Sequence, residues 1–579
     1  MPTRLEPLNL IDYTGGLNLR ANQFQLAENE SPELANVSID PLGGVYSRHG
    51  WERWTTSTEM DFPVDPDDWD PRRAYMIQLA DGTDVIYVAA NSTLWMTDGS
   101  TEFTDAEIIC SANTHMADFA SFGDDTYIAC GILNDVQLRS NVSPLESLSP
   151  LATGNFNDDY LEPIGGVFPR CELVEAHAGY AFVGHTMEAG TDYPNRIRWS
   201  HPTSQGDWAT ADYLDIGIGG SRITALQSYE DHLLIFKADS VWALYGYNSD
   251  SWQLVQKSSN VGAVGPQGVT RNESMVFFHS ASDRGGVYAY NGERPAEISV
   301  QVREVFENIL AKELIWVGWL GRKLWVPVPW NYADGPTDEC SAVLVFDTTV
   351  GDGAWTYYYS AAGSLGPLIS GSNIDSQTRP LGVLRATDYP SIVRLDERPG
   401  AADDLLTAEA VIGATSGSDT WDIPMIVTDT GDAILASGSH GTIPFHSYYR
   451  TPWLTAGWPT RKKSWRRPDF VCRRTEADHR LRVESFRDYE ERNARRQSIV
   501  EVFTGGGTVW GHFDWTPGDP AHPDAPPRWG DGAVEGGAIR RGSSFGMCRA
   551  LQLRISSLTP GARWGIDAII TKYVMRRFR

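Results

Sequence analysis

The sequence lacks long apolar runs and has few thiols. No stretch approaches the ~18–20 consecutive apolar residues of a membrane-spanning helix, and the opening residues lack the apolar core of a secretory signal. Its six cysteines are Cys110, Cys130, Cys171, Cys340, Cys472 and Cys548. They lie far apart, without a Cys-x-x-Cys pair or a Cys/His cluster. The cysteine spacing therefore predicts isolated thiols in a protein made in a reducing cytoplasm. The missing apolar run predicts that the chain has no membrane span.

Familiar catalytic and nucleotide-binding motifs are also missing. The sequence contains no HExxH, P-loop, GxSxG or EF-hand pattern. With 75 acidic residues, pairs of carboxylates are everywhere and do not indicate glycosidase chemistry. The stretch "DFPVDPDDWDPRR" could bind Ca²⁺ through its aspartates, but a solvated loop with three prolines is the simpler explanation. The sequence therefore predicts no catalytic residues, no metal ligands and no cofactor.

Basic residues are scarce in the first four-fifths of the chain. The whole chain has 48 Lys and Arg against 75 Asp and Glu, a net charge of −27. Residues 461–579 hold 23 basic and 14 acidic residues, net +9, which leaves 25 basic and 61 acidic residues, net −36, in residues 1–460. An acidic surface binds nucleic acid weakly, although it could line a channel through which nucleic acid slides. The two parts are expected to face different partners.

What the sequence does contain is a dense alternation of short apolar strands and turn signals. Its 55 Gly and 21 Trp suit an all-β fold with many turns. "RAYMIQLADGTDVIYVAANSTLWMTDG" predicts three strands joined by Asp-Gly and Asn-Ser turns. "ITALQSYEDHLLIFKADSVWALYGY" predicts three more, with turns at Glu230-Asp231 and Ala238-Asp239. By contrast, "SVQVREVFENILA" predicts one helix.

These meanders recur between residues of about 70 and 400, in units of about 40 to 60 residues. A small turn followed by tryptophan marks four of them, at Trp208, Trp252, Trp355 and Trp421. Such units are typical of β-propeller blades, which bury their faces only by stacking on one another. The pattern favours a propeller, and a pair of β-sandwiches is the alternative. In a propeller, we expect Trp208, Trp252 and Trp355 to be largely buried.

The sequence therefore divides into three parts of an all-β protein. Residues 1–55, rich in glycine pairs and prolines, are predicted to form an extended N-terminal arm with a short helix at "PELANV". Residues 56–404 form the β-propeller-like domain. Residues 405–579 form a C-terminal β-sandwich-like domain with a long loop over 504–535, ending in two strands joined by a Pro-Gly turn. Removing residues 1–45 should then leave the propeller folded but impair assembly.

The segment "RKKSWRRPDFVCRR" interleaves basic and aromatic residues and has three possible explanations. It could be a protein interface that meets an acidic neighbour, a solvated face, or a nucleic-acid contact in which aromatic rings stack on bases. The interface is favoured because a second copy supplies the acidic surface. The candidate interface residues are Arg461, Lys462, Lys463, Trp465, Arg466 and Arg467.

Four segments of the chain resemble virion proteins of tailed bacteriophages. They are "DYTGGLNLRANQFQLAENESPELANVSIDPLGGVYSRHGW", "VGAVGPQGVTRNESMVFFHSASDRGGVYAYNGERPAEIS", "YYRTPWLTAGWPTRKKSWRRPDFV" and "WGIDAIITKYVMRRFR". The family that they resemble is the tail nozzle proteins of short-tailed phages, also called tail tubular protein B-like. Minor tail proteins of long-tailed phages carry similar segments.

The resemblance implies a structural, non-enzymatic role. Nozzle proteins are understood as propeller-bearing rings, commonly of six copies, around the channel through which DNA leaves the virion. For this chain it implies a homo-oligomeric ring in the virion tail, made in the host bacterial cytoplasm. Its neighbours would be head–tail connector or adaptor proteins and tail fibres or spikes, and genomic DNA would pass without sequence-specific binding. The alternative is a propeller glycan hydrolase or a receptor-binding tail component that acts at adsorption.

Overall fold

The protein is described by a computed structural model. It describes residues 5–54, 71–140, 163–371, 381–406, 426–502 and 538–575, with shorter gaps inside these ranges. Within them, β-strands dominate, as an all-β fold requires. No helix in this part of the chain has the length and apolarity needed to cross a membrane.

Seven antiparallel meanders in the described residues surround one axis as the blades of a β-propeller, which confirms the predicted fold class. From blade 2 to blade 7, the innermost strand of each blade packs on the innermost strand of the next. Blades 1 and 2 stack Tyr75 on Phe119, with ring centroids 5.0 Å apart. Blade 7 joins blade 1 through parallel pairing of residues 369–371 with residues 74–76. The ring is therefore closed.

The blades are meanders with the following strands. Blade 1 has Pro71–Gln78, Asp84–Ala90, Thr93–Thr97 and Thr104–Ile109, and blade 2 has Asp118–Phe122, Asp125–Ala129 and Gln137–Ser140. Blade 3 has Arg170–His177, Tyr180–Glu188, Thr191–Trp199 and Tyr213–Asp215, and blade 4 has Ile223–Tyr229, His232–Lys237, Val241–Tyr245 and Gln253–Ser258. Blade 5 has Val269–Arg271, Val276–His279, Val287–Tyr290 and Ala296–Glu297, and blade 6 has Gly318–Leu320, Lys323–Val328, Ala342–Asp347 and Ala354–Tyr358. Blade 7 has Gly363–Gly371, Leu381–Ala386 and Ser391–Arg398.

Local turn chemistry sets these hairpins where the sequence predicts them. In blade 4, Glu230 takes a φ of 43° between the first two strands, the left-handed backbone that a tight two-residue hairpin turn requires. The Ala178-Gly179 turn of blade 3 has φ angles of 50° and 86° for the same reason. Every residue of His232–Lys237 is buried, because the strand lies between the neighbouring blades as well as inside its own sheet.

The fourth strand of blade 7 comes from the opposite end of the chain. Gly50–Arg53 pairs antiparallel with Ser391–Arg398, so the segment that precedes blade 1 completes blade 7. Trp51, 1% exposed, joins the apolar cluster between blades 6 and 7 with Trp325 and Leu384. Two later strands extend the same sheet outwards, Ala402–Leu406 and Gly441–Pro444. Opening the ring therefore requires separating two distant parts of the chain.

The C-terminal part folds as two packed sheets, as the prediction of a β-sandwich-like module expects. The first contains Lys463–Trp465, Asp469–Cys472, Ala538–Arg541, Gly546–Cys548 and Gly565–Met575, joined by Glu6–Leu10, Val37–Ile39 and Val45–Ser47. The second contains Glu33–Ala35, Tyr448–Arg450, His479–Arg487, Arg496–Val502 and Leu551–Ser557. Shorter pairs elsewhere are Gly16–Leu17 with Glu30–Ser31, Pro163–Ile164 with Trp208–Ala209, Trp330–Asn331 with Gly335–Pro336, and Ile426–Val427 with Ala433–Ile434.

The N-terminal segment differs from the extended arm that the sequence predicts. Its strands belong to both sheets of the sandwich, and Glu6–Leu10 pairs antiparallel with the C-terminal strand Gly565–Met575. The short helix predicted at "PELANV" is wrong, because Glu33–Ala35 and Val37–Ile39 are strands. Pairing with Tyr448–Arg450 overrides the local helix-start signal there.

Of four other predictions, the structure tests only the one about the two final strands. The two final strands exist, but Leu551–Ser557 and Gly565–Met575 lie in opposite sheets and do not pair with each other. The predicted loop at 504–535, the aspartate-rich stretch at 61–73 (up to its last three residues) and Trp421 lie outside the described residues.

One hydrophobic core connects the propeller to the sandwich. It includes Tyr13 from the N-terminal segment, Phe306 and Trp355 from the propeller side, and Ile555 from the sandwich. The predicted helix lies in this junction as the 3₁₀ turn Val300–Val302 followed by the α-helix Arg303–Asn308. Further 3₁₀ turns are Pro266–Gly268 and Lys312–Leu314.

The predicted burial of the blade tryptophans is mostly confirmed. Trp208 and Trp355 are 2% and 1% exposed. Trp252 is only half-buried, and its ring packs edge-on against Trp199 of blade 3 with centroids 4.2 Å apart. It covers the outer end of that blade's core instead of filling the space between two strands.

Candidate functional site

The innermost strands surround a cavity of about 250 Å³ on the propeller axis, and all seven blades contribute to its wall. Side chains alternate along a strand between the two faces of its sheet, and in a propeller these faces meet the neighbouring blades. In blade 1, Arg73 and Tyr75 line the cavity and Tyr75 packs on blade 2, whereas Ala74 between them packs in the apolar cluster between blades 1 and 7. The lining residues that carry its chemistry are Arg73, Tyr75, Glu175, Gln267, Arg271 and Trp319.

A buried ion pair forms one side of the cavity wall. The Arg73 guanidinium lies 3.7 Å from Asp118 Oδ1 and donates through Nη1 to the carbonyl of Pro266 at 3.3 Å. Asp118 also accepts a hydrogen bond from the Val174 amide at 3.0 Å. Burial raises the pKa of Asp118 to about 6, and Arg73 opposes that rise. At neutral pH the pair is therefore ionised and links the inner strands of blades 1 and 2.

Glu175 forms a second polar centre, at the end of the inner strand of blade 3. One of its carboxyl oxygens accepts a hydrogen bond from the Ser228 amide at 3.2 Å. Burial raises the pKa of Glu175 to about 8, although the Arg271 guanidinium opposes this. Arg271 donates to the Ser228 carbonyl at 2.9 Å and is solvent-exposed, so it marks the side where the cavity meets solvent. The Glu175 carboxyl is thus mostly protonated at neutral pH.

Two polar atoms of the cavity-lining residues have no hydrogen-bond partner in the described part of the chain. They are Arg73 Nε and Gln267 Oε1. The other amide atom of Gln267, Nε2, donates to the Glu313 carbonyl at 3.2 Å, which leaves the oxygen as the unpaired atom. An unmade hydrogen bond at a buried polar group costs about 1–3 kcal/mol. Such groups are where a water molecule or a bound ligand is expected.

The cavity offers donors, acceptors and aromatic surface, without a metal-binding set. Among the described residues, no group of three or more His, Cys, Asp and Glu side chains is arranged to hold a metal ion. Local sequence pattern does not reveal this site, because its members come from separate blades. One local signal was available: Glu175 follows an apolar run in "RCELVEAH", where a charged residue at the end of a buried strand needs an explanation.

The predicted basic interface residues do not all share one surface. Lys463 is fully buried, and its Nζ donates to the carbonyls of Trp458, Arg461 and Arg549. Trp465 is 1% exposed and packs on Tyr573 in the sandwich core, with centroids 5.4 Å apart. Strand alternation points both side chains inwards. Neither is available to a partner protein, so these two assignments need correction.

The remaining four candidates lie at the surface. Lys462, Arg466 and Arg467 are exposed, and Arg461 is half-buried. The Arg461 guanidinium lies 4.4 Å from the ring centroid of Trp458, which is itself 46% exposed. The structure therefore brings together a basic surface with one exposed aromatic ring at its edge.

We expect the Glu175 carboxyl to make stability depend on pH. Its pKa is higher in the folded chain than in the unfolded one, so its contribution is complete below about pH 4 and is lost as the pH rises through about 8. Between pH of about 7 and 8.5, the unfolding free energy should fall by about 1 kcal/mol relative to that of Glu175→Gln. Urea titrations of both proteins at the two pH values measure this difference.

Near the cavity, burial raises the pKa of Tyr75 to about 12, above that window, whereas Asp118 and His177 titrate below it. The pKa of Asp118, about 6, is raised in the folded protein, so its effect is nearly complete by pH 7. Burial lowers the pKa of His177 to about 4, which makes stability rise with pH only up to the unfolded value of about 6.5. If the unfolding free energy depended on pH in the same way in the wild type and in Glu175→Gln, the Glu175 carboxyl would not hold its proton at neutral pH.

No protein-family model matches the chain, and no curated protein matches it. Among solved structures, BBS1N in complex with ARL6DN is 13% identical over 61% of this chain and 98% of that one, with a TM-score of 0.35. The Neurospora crassa Pan2 WD40 domain is 9% identical over 61% and 96%, with a TM-score of 0.35. Selenomethionine-substituted virginiamycin B lyase from Staphylococcus aureus is 9% identical over 68% and 99%, with a TM-score of 0.33. The blades themselves define the chain as a β-propeller protein.

Proposed function

We propose that this chain is a structural virion protein of a tailed phage, a subunit of the nozzle or tail-tube ring through which genomic DNA is ejected. The resemblance of residues 12–51 and 261–299 to nozzle proteins supports the proposal. The structural observation that carries it is the pairing of N-terminal strands with strands far along the chain. Glu6–Leu10 pairs with Gly565–Met575, and Gly50–Arg53 completes blade 7. Subunits of a ring around moving DNA must resist unfolding, and such long-range pairing favours a subunit that does.

The distribution of charge supports assembly of identical copies into a ring. Lys462, Arg466 and Arg467 form an exposed basic surface, whereas residues 1–460 carry a net charge of −36. Opposite charges on different faces of one subunit favour head-to-tail contacts, which close into a ring when the rotation between copies allows it. An acidic body also makes few phosphate-neutralising contacts, so DNA would pass without being held.

We expect the purified protein to form rings, and we expect the ring to depend on the basic surface. Replacing Arg466 and Arg467 together by Glu should shift the protein towards monomer, because like charges would then meet across the contact. Sedimentation velocity and negative-stain images at low and high salt measure this. Arg294→Glu, an exposed change on blade 5, is the matched control. A wild type that stays monomeric at all concentrations, or a double variant that assembles normally, would contradict the proposed assembly.

Duplex DNA binding tests the passage role separately. The protein should bind DNA weakly, with a shallow dependence on salt. Tight binding with a steep salt slope, reduced when Lys462, Arg466 and Arg467 are replaced by Ser, would instead make the basic surface a DNA contact. The competing role, a glycan hydrolase, is favoured only by the two carboxyl groups with raised pKa values at the axial cavity, Asp118 and Glu175. Depolymerisation of host polysaccharide by the wild type but not by Glu175→Gln would replace the structural proposal.

A further inference from the structure

We propose that the axial cavity is a binding site for one small hydroxylated carboxylate, with the size and chemistry of a single hexuronic acid unit. The site is distinct from the ring contacts of the proposed function and does not depend on them. It uses the guanidinium group of Arg271 for the carboxylate, the unpaired Nε of Arg73 as a further donor, and the unpaired carbonyl oxygen of Gln267 for a hydroxyl group.

The volume sets the size of the ligand. At about 250 Å³, the cavity is smaller than the ~300–1,000 Å³ of sites that take drug-sized ligands. One monosaccharide ring fits this scale, and a disaccharide would have to extend out of the cavity. Tyr75 and Trp319 supply aromatic wall, against which the apolar face of a sugar ring can pack.

The charge of the wall favours an anion. Two arginine side chains line the cavity, and their guanidinium groups stay protonated and positively charged. Asp118 already lies beside Arg73, whereas Arg271 hydrogen-bonds a backbone carbonyl and leaves the rest of its donors free for a ligand. Glu175 holds its proton at neutral pH and so does not cancel the second positive charge. Planar guanidinium groups pair with carboxylates in a bidentate geometry, which suits a sugar acid.

The polar groups that lack partners favour a ligand with hydroxyl groups. Gln267 is 2% exposed, and its Oε1 accepts no hydrogen bond from the described residues. An acceptor in this position needs a donor such as a sugar hydroxyl, which a simple carboxylate such as acetate does not provide. Arg73 Nε is an unpaired donor of the same wall. One ligand that carries both a carboxylate and hydroxyl groups would satisfy both atoms.

Calorimetric titration of the full chain with three probes tests the site. Glucuronate should bind, and glucose and acetate should each bind at least about tenfold more weakly, because each lacks one half of the recognised chemistry. Arg271→Gln should weaken glucuronate binding by about tenfold or more, since it removes a charged partner from an exposed position where folding is not at risk. Arg294→Gln, an exposed arginine of the same blade that does not line the cavity, should bind like the wild type.

Two outcomes would overturn the site. One is the absence of glucuronate binding by the wild type. The other is binding that is equal for glucose, or that Arg271→Gln and Arg294→Gln leave equally unchanged. A glucuronate trimer separates the two sources of such a ligand: tighter binding than the monomer indicates the end of a polysaccharide, and equal binding indicates a free sugar acid. Either result of the trimer titration supports the site. Failure of ring assembly would change neither result, because the site does not depend on the ring contacts.

Discussion

Removal of residues 1–45 should unfold the C-terminal sandwich, instead of detaching a dispensable arm. The deleted segment supplies Glu6–Leu10 and Val37–Ile39 to one sheet and Glu33–Ala35 to the other. Without them, the C-terminal strand Gly565–Met575 loses an antiparallel neighbour, and the shared core loses its N-terminal side chains. We expect limited proteolysis of the truncated protein to cut within residues 448–575 while the same sites resist cleavage in the intact chain.

Point substitutions make the same test without removing the backbone. Leu34 is fully buried in the shared core, whereas Leu42, eight residues later, is 90% exposed. Leu34→Ala should lower the unfolding free energy by about 2–5 kcal/mol, because it leaves a cavity. Leu42→Ala should stay within about 0.5 kcal/mol of the wild type. Denaturant titration measures both, and equal effects of the two changes would mean that the segment is a surface arm after all.

The strands of the N-terminal segment are not predictable locally, because they are short and several of their partners are distant in sequence. Ser31 Oγ donates to the Arg450 carbonyl at 2.7 Å, and Asn36 Nδ2 donates to the His446 carbonyl at 3.0 Å. A strand of three residues shows no readable period of two, so local pattern cannot reveal it. Buried Arg48 is a second residue whose role local pattern cannot reveal. Its Nε donates to Asn36, and its guanidinium lies 3.8 Å from the ring centroid of Phe445.

The blades were predictable for the opposite reason. Apart from the Gly50–Arg53 strand of blade 7, they are built from consecutive hairpins, so the strand period and the turn residues lie side by side in the sequence. The turn at Glu230-Asp231, predicted between two apolar runs, has the required left-handed φ of 43° at Glu230. The axial site was not predictable, because Arg73, Asp118 and Glu175 belong to three blades and meet only when the ring forms. For Lys463, strand alternation alone could have indicated that its side chain points inwards, beside Trp465.

Trp355→Ala is the second change with a large expected effect. The side chain is 1% exposed, packs in the core that joins propeller and sandwich, and donates through Nε1 to the Ile298 carbonyl at 2.9 Å. Truncation removes a large apolar surface and leaves that carbonyl without its donor, so we expect a loss of about 3–5 kcal/mol in unfolding free energy. The loss should destabilise both domains, since the cavity would lie where they meet.

Two further tryptophan variants separate packing from hydrogen bonding. Trp355→Phe keeps most of the ring volume and removes the hydrogen-bond donor. It should lower the unfolding free energy less than Trp355→Ala does, and the difference between the two losses measures the contribution of packing. Trp458→Ala, at a tryptophan that is 46% exposed beside Arg461, should change the unfolding free energy by no more than about 1 kcal/mol. Denaturant titrations followed separately by near-ultraviolet circular dichroism and by proteolysis of the sandwich report on the two domains. If Trp355→Ala destabilised only one domain, the shared core would not couple the propeller to the sandwich. The long-range pairing of the N-terminal strands would then not stabilise the subunit as a whole.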